Sequence, residues 1–342
     1  MSLPEAPAFI HTDRLLEMTV HRRNFLRASA LLSTVAGAVR VPAFAQGNAK
    51  PLTIYVPYPA GGTTDLVARA VSESIIEKTG QTVVVENRFG GGGQIAYSAM
   101  QQGAGDAPVM LMGDYATLGS NAHLYRKFSY DPLTQLQPLT PTVAFPMVLF
   151  VPKSLGINSV AELIARGKKK PLTYASQGNG AGGHLLGEMF GTAAGVNFNH
   201  VPYRGSAPAI QDTLAGQVDF LFDGVSAGLP YMRDGKLKAL MVCAPKRAAL
   251  LAGVPTSVEL GMPDVQMTVW FGAATRQGTP AAVVQKMHND IEQAFTTPRI
   301  AKRFEELGYE TMLMRPEQFA AFMKEESNRW GAVIKKYHVS VE

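Results

Sequence analysis

Two segments combine glycine, hydroxyl and carboxylate residues where a strand-like run meets a helix-like run. The first is Pro57-Tyr58-Pro59-Ala60-Gly61-Gly62-Thr63-Thr64-Asp65. The second is Ser176-Gln177-Gly178-Asn179-Gly180-Ala181-Gly182-Gly183-His184. Glycine lets the backbone bend and come close to a ligand, and a helix start offers unpaired N–H groups at the positive end of its dipole. Such turns suit a carboxylate or a phosphate. If they face each other, backbone dipoles hold the anionic end of a ligand without Arg or Lys. Each charge-assisted hydrogen bond is then worth roughly 1.5–3 kcal/mol. A plainer role for Thr64 or Asp65 is helix N-capping, worth about 1 kcal/mol.

Other chemistries fit less well. No Gly-Lys-Ser/Thr follows the first turn, so it is not a nucleotide-hydrolysing phosphate loop. Glu86-Asn87 and the cluster Gly90-Gly91-Gly92-Gly93 break the dinucleotide-binding spacing. That cluster is either a second ligand-shaping edge or a flexible turn. Gly-x-Ser-x-Gly is absent, and no evident acid completes a triad with Ser176 and His184. Spatially paired carboxylates are invisible in a sequence. His123, His200, His288 and His338 lack metal-ligand spacing, so neither a metal nor another cofactor is expected. Cys243 is the only cysteine, which excludes an internal disulfide. Its apolar neighbours Leu240-Met241-Val242 point to a core thiol rather than a nucleophile.

Several residues carry a structural and a functional reading. His184 is either a first-turn helix residue or a cleft residue. Asp223 follows the apolar run Phe220-Leu221-Phe222, at the kind of strand end where open α/β sheets bind ligands. It could equally cap the next helix. Tyr203-Arg204 reads as a hinge-side or surface pair, Arg88 as the partner of an acid, and Trp270 and Trp330 as packing residues.

The elements that position these residues alternate. Strand-like runs occur at 52–57, 82–86, 109–112, 148–152, 172–175, 199–201, 219–222, 237–243 and 269–274. Helix-like stretches occupy 66–79, 184–194, 207–214, 281–295 and 316–336. Strands separated by helix-length segments give an α/β class with parallel βαβ units. The stretch 133–152 holds four prolines and little helical pattern. It predicts a crossover into a second domain near residue 150, with a return near 263–270. The expected division is 46–150 plus 271–342 for one lobe and 151–270 for the other.

The N-terminal segment reads as an export signal. Arg22-Arg23-Asn24-Phe25-Leu26-Arg27 precedes the mostly apolar run 28–39, and Ala43-Phe44-Ala45 supplies a small-residue cleavage site. The run is shorter than the roughly 20 apolar residues that span a bilayer. The arginine pair suits the twin-arginine route, and an ordinary Sec signal is the alternative. Met18 competes with Met1 as the start. Removing residues 1–45 takes Lys+Arg from 32 to 27 and Asp+Glu from 27 to 24, which leaves a net charge of +3. That is too mild for a nucleic-acid binder.

The ordered set of both turns, Val83-Val84-Val85-Glu86-Asn87-Arg88, Val201 to Ala209, Gly216-Gln217-Val218-Asp219, Phe222-Asp223 and Val254-Pro255-Thr256 resembles one family. It is similar to the extracytoplasmic receptors of tripartite tricarboxylate transporters, the Bug receptors, across the mature chain. The resemblance implies a two-lobed, type II-like periplasmic binding fold that closes on a small organic acid. It also implies a monomer without enzymatic activity that hands the ligand to membrane permease subunits. Presentation to a sensor kinase is the alternative output. By motif position, the first-lobe contacts are Ala60, Gly61, Gly62, Thr63, Thr64 and Asp65. The second-lobe contacts are Ser176, Gly178, Gly180, Ala181 and His184, with Tyr203 and Asp223 at the cleft wall. Two departures lean toward a less polar or aromatic acid. Ala181 stands where the family has Ser, and Phe89-Gly90-Gly91-Gly92-Gly93 replaces Pro-Gly-Ala-Gly-Gly.

Overall fold

The computed structural model describes residues 50–341 except Ala104 and Asp106. The export signal, its cleavage site and the alternative start at Met18 lie outside the described residues. The first strand, β1 (Leu52–Val56), is almost wholly buried. It pairs in parallel with β2 (Val83–Asn87) and β3 (Val109–Asp114). The crossovers are α1 (Thr63–Thr79) and α2 (Gln94–Gln102). Val67, Val71 and Ile75 of α1 line one face and go into the core. Asp65 in its first turn and Lys78 in its last suit the helix dipole, and Gly80 ends it in the left-handed conformation at φ 67°.

The strand β4 (Leu136–Pro152) holds the molecule's two regions together. Its first part lies antiparallel to β9 (Thr268–Arg276), which in turn lies antiparallel to β3. Prolines cannot donate to a ladder, and the β4–β9 register shifts beside Pro138 and Pro141. A short strand, β10 (Glu310–Thr311), pairs with β4 at Val143 and Ala144. Beyond Pro146, β4 changes partners. It runs antiparallel to β7 (Phe220–Gly224) and β8 (Leu237–Val242). β7 then pairs in parallel with β5 (Thr173–Ser176), and β5 with β6 (Asn199–Pro202).

The helices of this second half are α3 (Val160–Gly167), α4 (Gly182–Ala194), α5 (Ser206–Leu214) and α6 (Val225–Arg233). α7 (Ala281–Thr296), α8 (Pro298–Glu306) and α9 (Pro316–Lys336) complete the chain. α7 and α9 pack on β4. The α/β class is as expected, with parallel βαβ units on both sides. The antiparallel pairs come from the two connecting strands, which must run against their neighbours to cross. Three chain segments meet at the crossing. Met147 N–H donates to Met267 O (3.0 Å), Cys243 N–H to Met147 O (2.8 Å) and Met267 N–H to Cys243 O (2.9 Å). Cys243 is buried there, and burial raises its thiol pKa. Trp270 and Trp330 are core residues whose indole N–H groups both donate to Glu326 Oε2, at 3.1 and 3.0 Å.

Candidate functional site

Among the helices that begin soon after the carboxyl end of a strand are α1, α2, α4, α5 and α6. Their N-cap residues are Gly62, Gly93, Ala181, Gly205 and Gly224, and none carries a side-chain cap. By contrast, Ser159 caps α3 by accepting from Glu162 N–H. The first-turn N–H groups of any helix lack an intrahelical acceptor, and at these starts the N-cap side chain does not supply one.

The first turn stands open at its tip. Pro59, Ala60, Gly61 and Gly62 are exposed, Thr63 is half-buried, and Thr64 and Asp65 are buried. Gly61 adopts φ 88°, where a side chain would strain the backbone. Asp65 does not cap α1. Its Oδ2 accepts from Gly61 N–H (2.9 Å) and Arg69 Nε (2.8 Å), and its Oδ1 accepts from Asn87 (3.0 Å). Burial would raise the Asp65 pKa, but these hydrogen bonds outweigh it and lower the value. Asn87 also donates to Tyr58 O at 3.0 Å. Tyr58 in turn donates its hydroxyl to Asp114 Oδ2 at 2.9 Å. The turn is thus held from behind, and Asp65 acts as its support.

The second turn is bound into itself. Gly178 N–H donates to Ser176 Oγ (3.1 Å), Gly180 N–H to His184 Nδ1 (3.0 Å), and Gly183 N–H to Gln177 Oε1 (3.1 Å). Ala181 N–H donates to Gly178 O at 3.2 Å. Ser176 Oγ and His200 Nε2 are 2.6 Å apart. The His184 and His200 rings stack at 3.9 Å, and Tyr174 stacks on the far face of the pair at 5.0 Å from His200. Burial, then the neighbouring His184, pushes the His200 pKa down to about 4. Burial likewise lowers His184, against the pull of Glu188. Ser176 is wholly buried.

The remaining predicted residues surround this turn. Tyr203 donates its N–H to Ser176 O (3.0 Å) and its hydroxyl to Asp212 Oδ2 (2.7 Å). Burial, then Asp212, raises its pKa to about 12. Asp223, next to last in β7, has 5 % of its surface exposed. Its Oδ1 accepts from Gly224 N–H (2.8 Å) and Ser206 Oγ (3.2 Å), and its buried Oδ2 has no partner among the described residues. Burial raises its pKa.

The second turn lies where the two regions of the sheet touch. A Cβ on Gly180 would meet Leu124 and Val341 at 3.1 Å, and one on Gly182 would meet Met267 Sδ at 2.5 Å. The cluster Gly90–Gly93 packs closely against its neighbours. All four residues have positive φ, and Cβ atoms on Gly92 and Gly93 would collide with Tyr125 and Thr117 at 2.7 Å. Beside it Phe89 is 62 % exposed and Ile95 51 %. Two open surface hollows, near Ile76 and near Lys169, include none of the predicted residues. Sequence reasoning missed the roles of Asn87, Gln177 and His200. Asn87 and Gln177 sat within quoted motifs. His200 carried no signal, because its partners are remote in the chain.

A mixed α/β sheet crossed by two strands, with uncapped helix starts at strand ends, is a periplasmic-binding-protein fold. A Rhodopseudomonas palustris protein, Rpa4515, solved with adipate, is 31% identical with a TM-score of 0.78. It covers 86% of this chain and 99% of its own. MatC from Rhodopseudomonas palustris, solved with bound malate, is 28% identical with a TM-score of 0.73, covering 84% and 99%. Protein BugT of Bordetella pertussis is 32% identical over 84% of this chain and 89% of its own length. Residues 67–339 match the tripartite tricarboxylate transporter family receptor, and the chain belongs to that family of solute-binding receptors. The family is not an enzyme class.

Proposed function

We propose that the protein binds a small organic acid between residues 46–150 plus 271–342 as one lobe and 151–270 as the other. It then delivers the acid to the permease subunits of a tripartite tricarboxylate-type transporter in the periplasm, after export directed by residues 22–45. The observation that carries this reading is the open first turn, where Ala60, Gly61, Gly62 and Thr63 precede an uncapped helix start. Its N–H groups and dipole favour a carboxylate. Asp65 keeps that turn in shape, and Thr64 is buried next to it.

On the other side, Ser176, Gly178, Gly180, Ala181 and His184 form a stiff wall, with Tyr203 and Asp223 beside it. Two relatives solved with dicarboxylates, adipate and malate, agree with this ligand class. Exposed Phe89 and the methyl of Ala181 favour a less polar or aromatic acid over short polar ones. Closure follows from the ligand's higher affinity for the closed form.

A thermal-shift screen of aliphatic and aromatic mono-, di- and tricarboxylates tests the reading. A true ligand at ~100 times its dissociation constant adds about 2.7 kcal/mol of stability. Absence of a shift with every acid, in a protein that melts cooperatively, would sink it.

A further inference from the structure

We propose that Tyr309 is a positioning residue that ties the start of α1 to the start of α6 and so sets how the two regions meet. Its hydroxyl lies 3.0 Å from Thr63 Oγ1 and 3.0 Å from Ser226 Oγ. Thr63 begins α1 in the first region, and Ser226 lies in the first turn of α6 in the second. Tyr309 itself belongs to the first region, immediately before β10. Its ring is buried and stacks on Phe145 at 4.8 Å, next to the point where β4 crosses.

Local sequence allows this close approach. Gly308 has φ 77°, and a Cβ there would meet Val225 at 2.7 Å and Leu250 at 3.0 Å. The turn before Tyr309 therefore rests directly on the start of α6. Phe145 lies close over Gly224 in the same way.

Three hydroxyls in a row hold three protons, and two hydrogen bonds use two of them. The chain runs from Ser226 through Tyr309 to Thr63, in reverse, or from both ends into Tyr309. In every arrangement one of the three hydroxyls keeps an unspent O–H, beside helix starts that already favour an anion. The row therefore joins the regions and offers one donor to one acceptor oxygen. This ligand-facing part rests on the carboxylate reading above, whereas the joining role does not.

Hydrogen exchange on the ligand-free full chain tests the joining role. Tyr309→Phe keeps the ring and removes both contacts at once. Peptides spanning 63–72 and 225–233 should exchange roughly 5 times faster, the factor that a loss near 1 kcal/mol gives, while 160–167 stays unchanged. Ser226→Ala, a milder change at a half-buried position, should accelerate the same two segments. It decides the matter if Tyr309→Phe speeds exchange everywhere. Acceleration in only one segment, or in neither, overturns the joining role. Calorimetry with the acid giving the largest thermal shift should show a fall in affinity of roughly fivefold in Tyr309→Phe, and equal affinity overturns the ligand-facing part. If no acid shifts the melting temperature, the carboxylate reading fails and the exchange result still stands.

Discussion

The two glycine-rich turns occupy equivalent places, each between a strand and a helix, but they are held in opposite ways. The turn at 57–65 hangs from buried Asp65, which grips Gly61, Arg69 and Asn87 and leaves residues 59–62 exposed. The turn at 176–184 spends its own N–H groups on Ser176, His184, Gln177 and Gly178 and rests on a Tyr174–His200–His184 stack. Backbone donors are therefore free to meet an anion mainly in the first turn. The second supplies shape. On the proposed reading, the first turn donates to the acid and the second shapes the wall, so a side-chain change in the second alters specificity without removing the anion site.

This contrast can be broken most strongly at Gly183. A Cβ there would lie 2.8 Å from Phe222 O and 2.7 Å from Gln177 Oε1, and the backbone carbonyl cannot yield. Gly183→Ala should cost about 2–3 kcal/mol in chemical denaturation, within the range for overpacking. A loss below ~0.5 kcal/mol would mean that the second turn is not stiff.

The support of the first turn is next. Asp65→Ala removes the acceptor for three donors, and each hydrogen bond to a charge is worth about 1.5–3 kcal/mol. Affinity for the bound acid should fall at least about tenfold, because the donating tip loses its shape. The chain should still fold, with most of the loss of order confined to 57–65. Unchanged calorimetric affinity would detach Asp65 from binding.

Acid should act on the second turn. His200 has a pKa near 4 when folded, against 6.5 for the ordinary imidazole. Between those values the unfolded chain binds the extra proton, so stability is complete above pH 6.5 and declines as pH falls toward 4. The loss should be on the order of 2 kcal/mol. His200→Phe keeps a ring in the stack and should flatten that decline. A pH profile identical to the parent chain would remove His200 from the account.

The smallest effect is expected at Ala181, the N-cap of α4. Serine caps helices better than alanine by about 1 kcal/mol. Ala181→Ser should raise the melting temperature slightly and shift the acid preference toward more polar ligands. An unchanged ranking in the acid screen would show that the wall at residue 181 does not select.

Much of the fold was legible, because strand and helix periodicities are local. The stretch 133–152 shows where local reading stopped. Four prolines argue against a central strand, yet β4 runs through it from Leu136 to Pro152, with the ladder bulging at Pro138 and Pro141 and crossing to new partners after Pro146. Burial between layers overrode propensity there.

The sequence by itself determined where the two turns fall, since glycine runs between apolar and helical segments are a property of neighbouring residues. It also determined the family, through the order of its motifs. Only the tertiary structure decided that Asp65 supports rather than caps, that His200 sits against Ser176, and that Tyr309 reaches both Thr63 and Ser226. Those facts depend on Asn87, Ser176, Thr63 and Ser226 meeting partners between 22 and 246 residues away, and no local pattern encodes such a meeting.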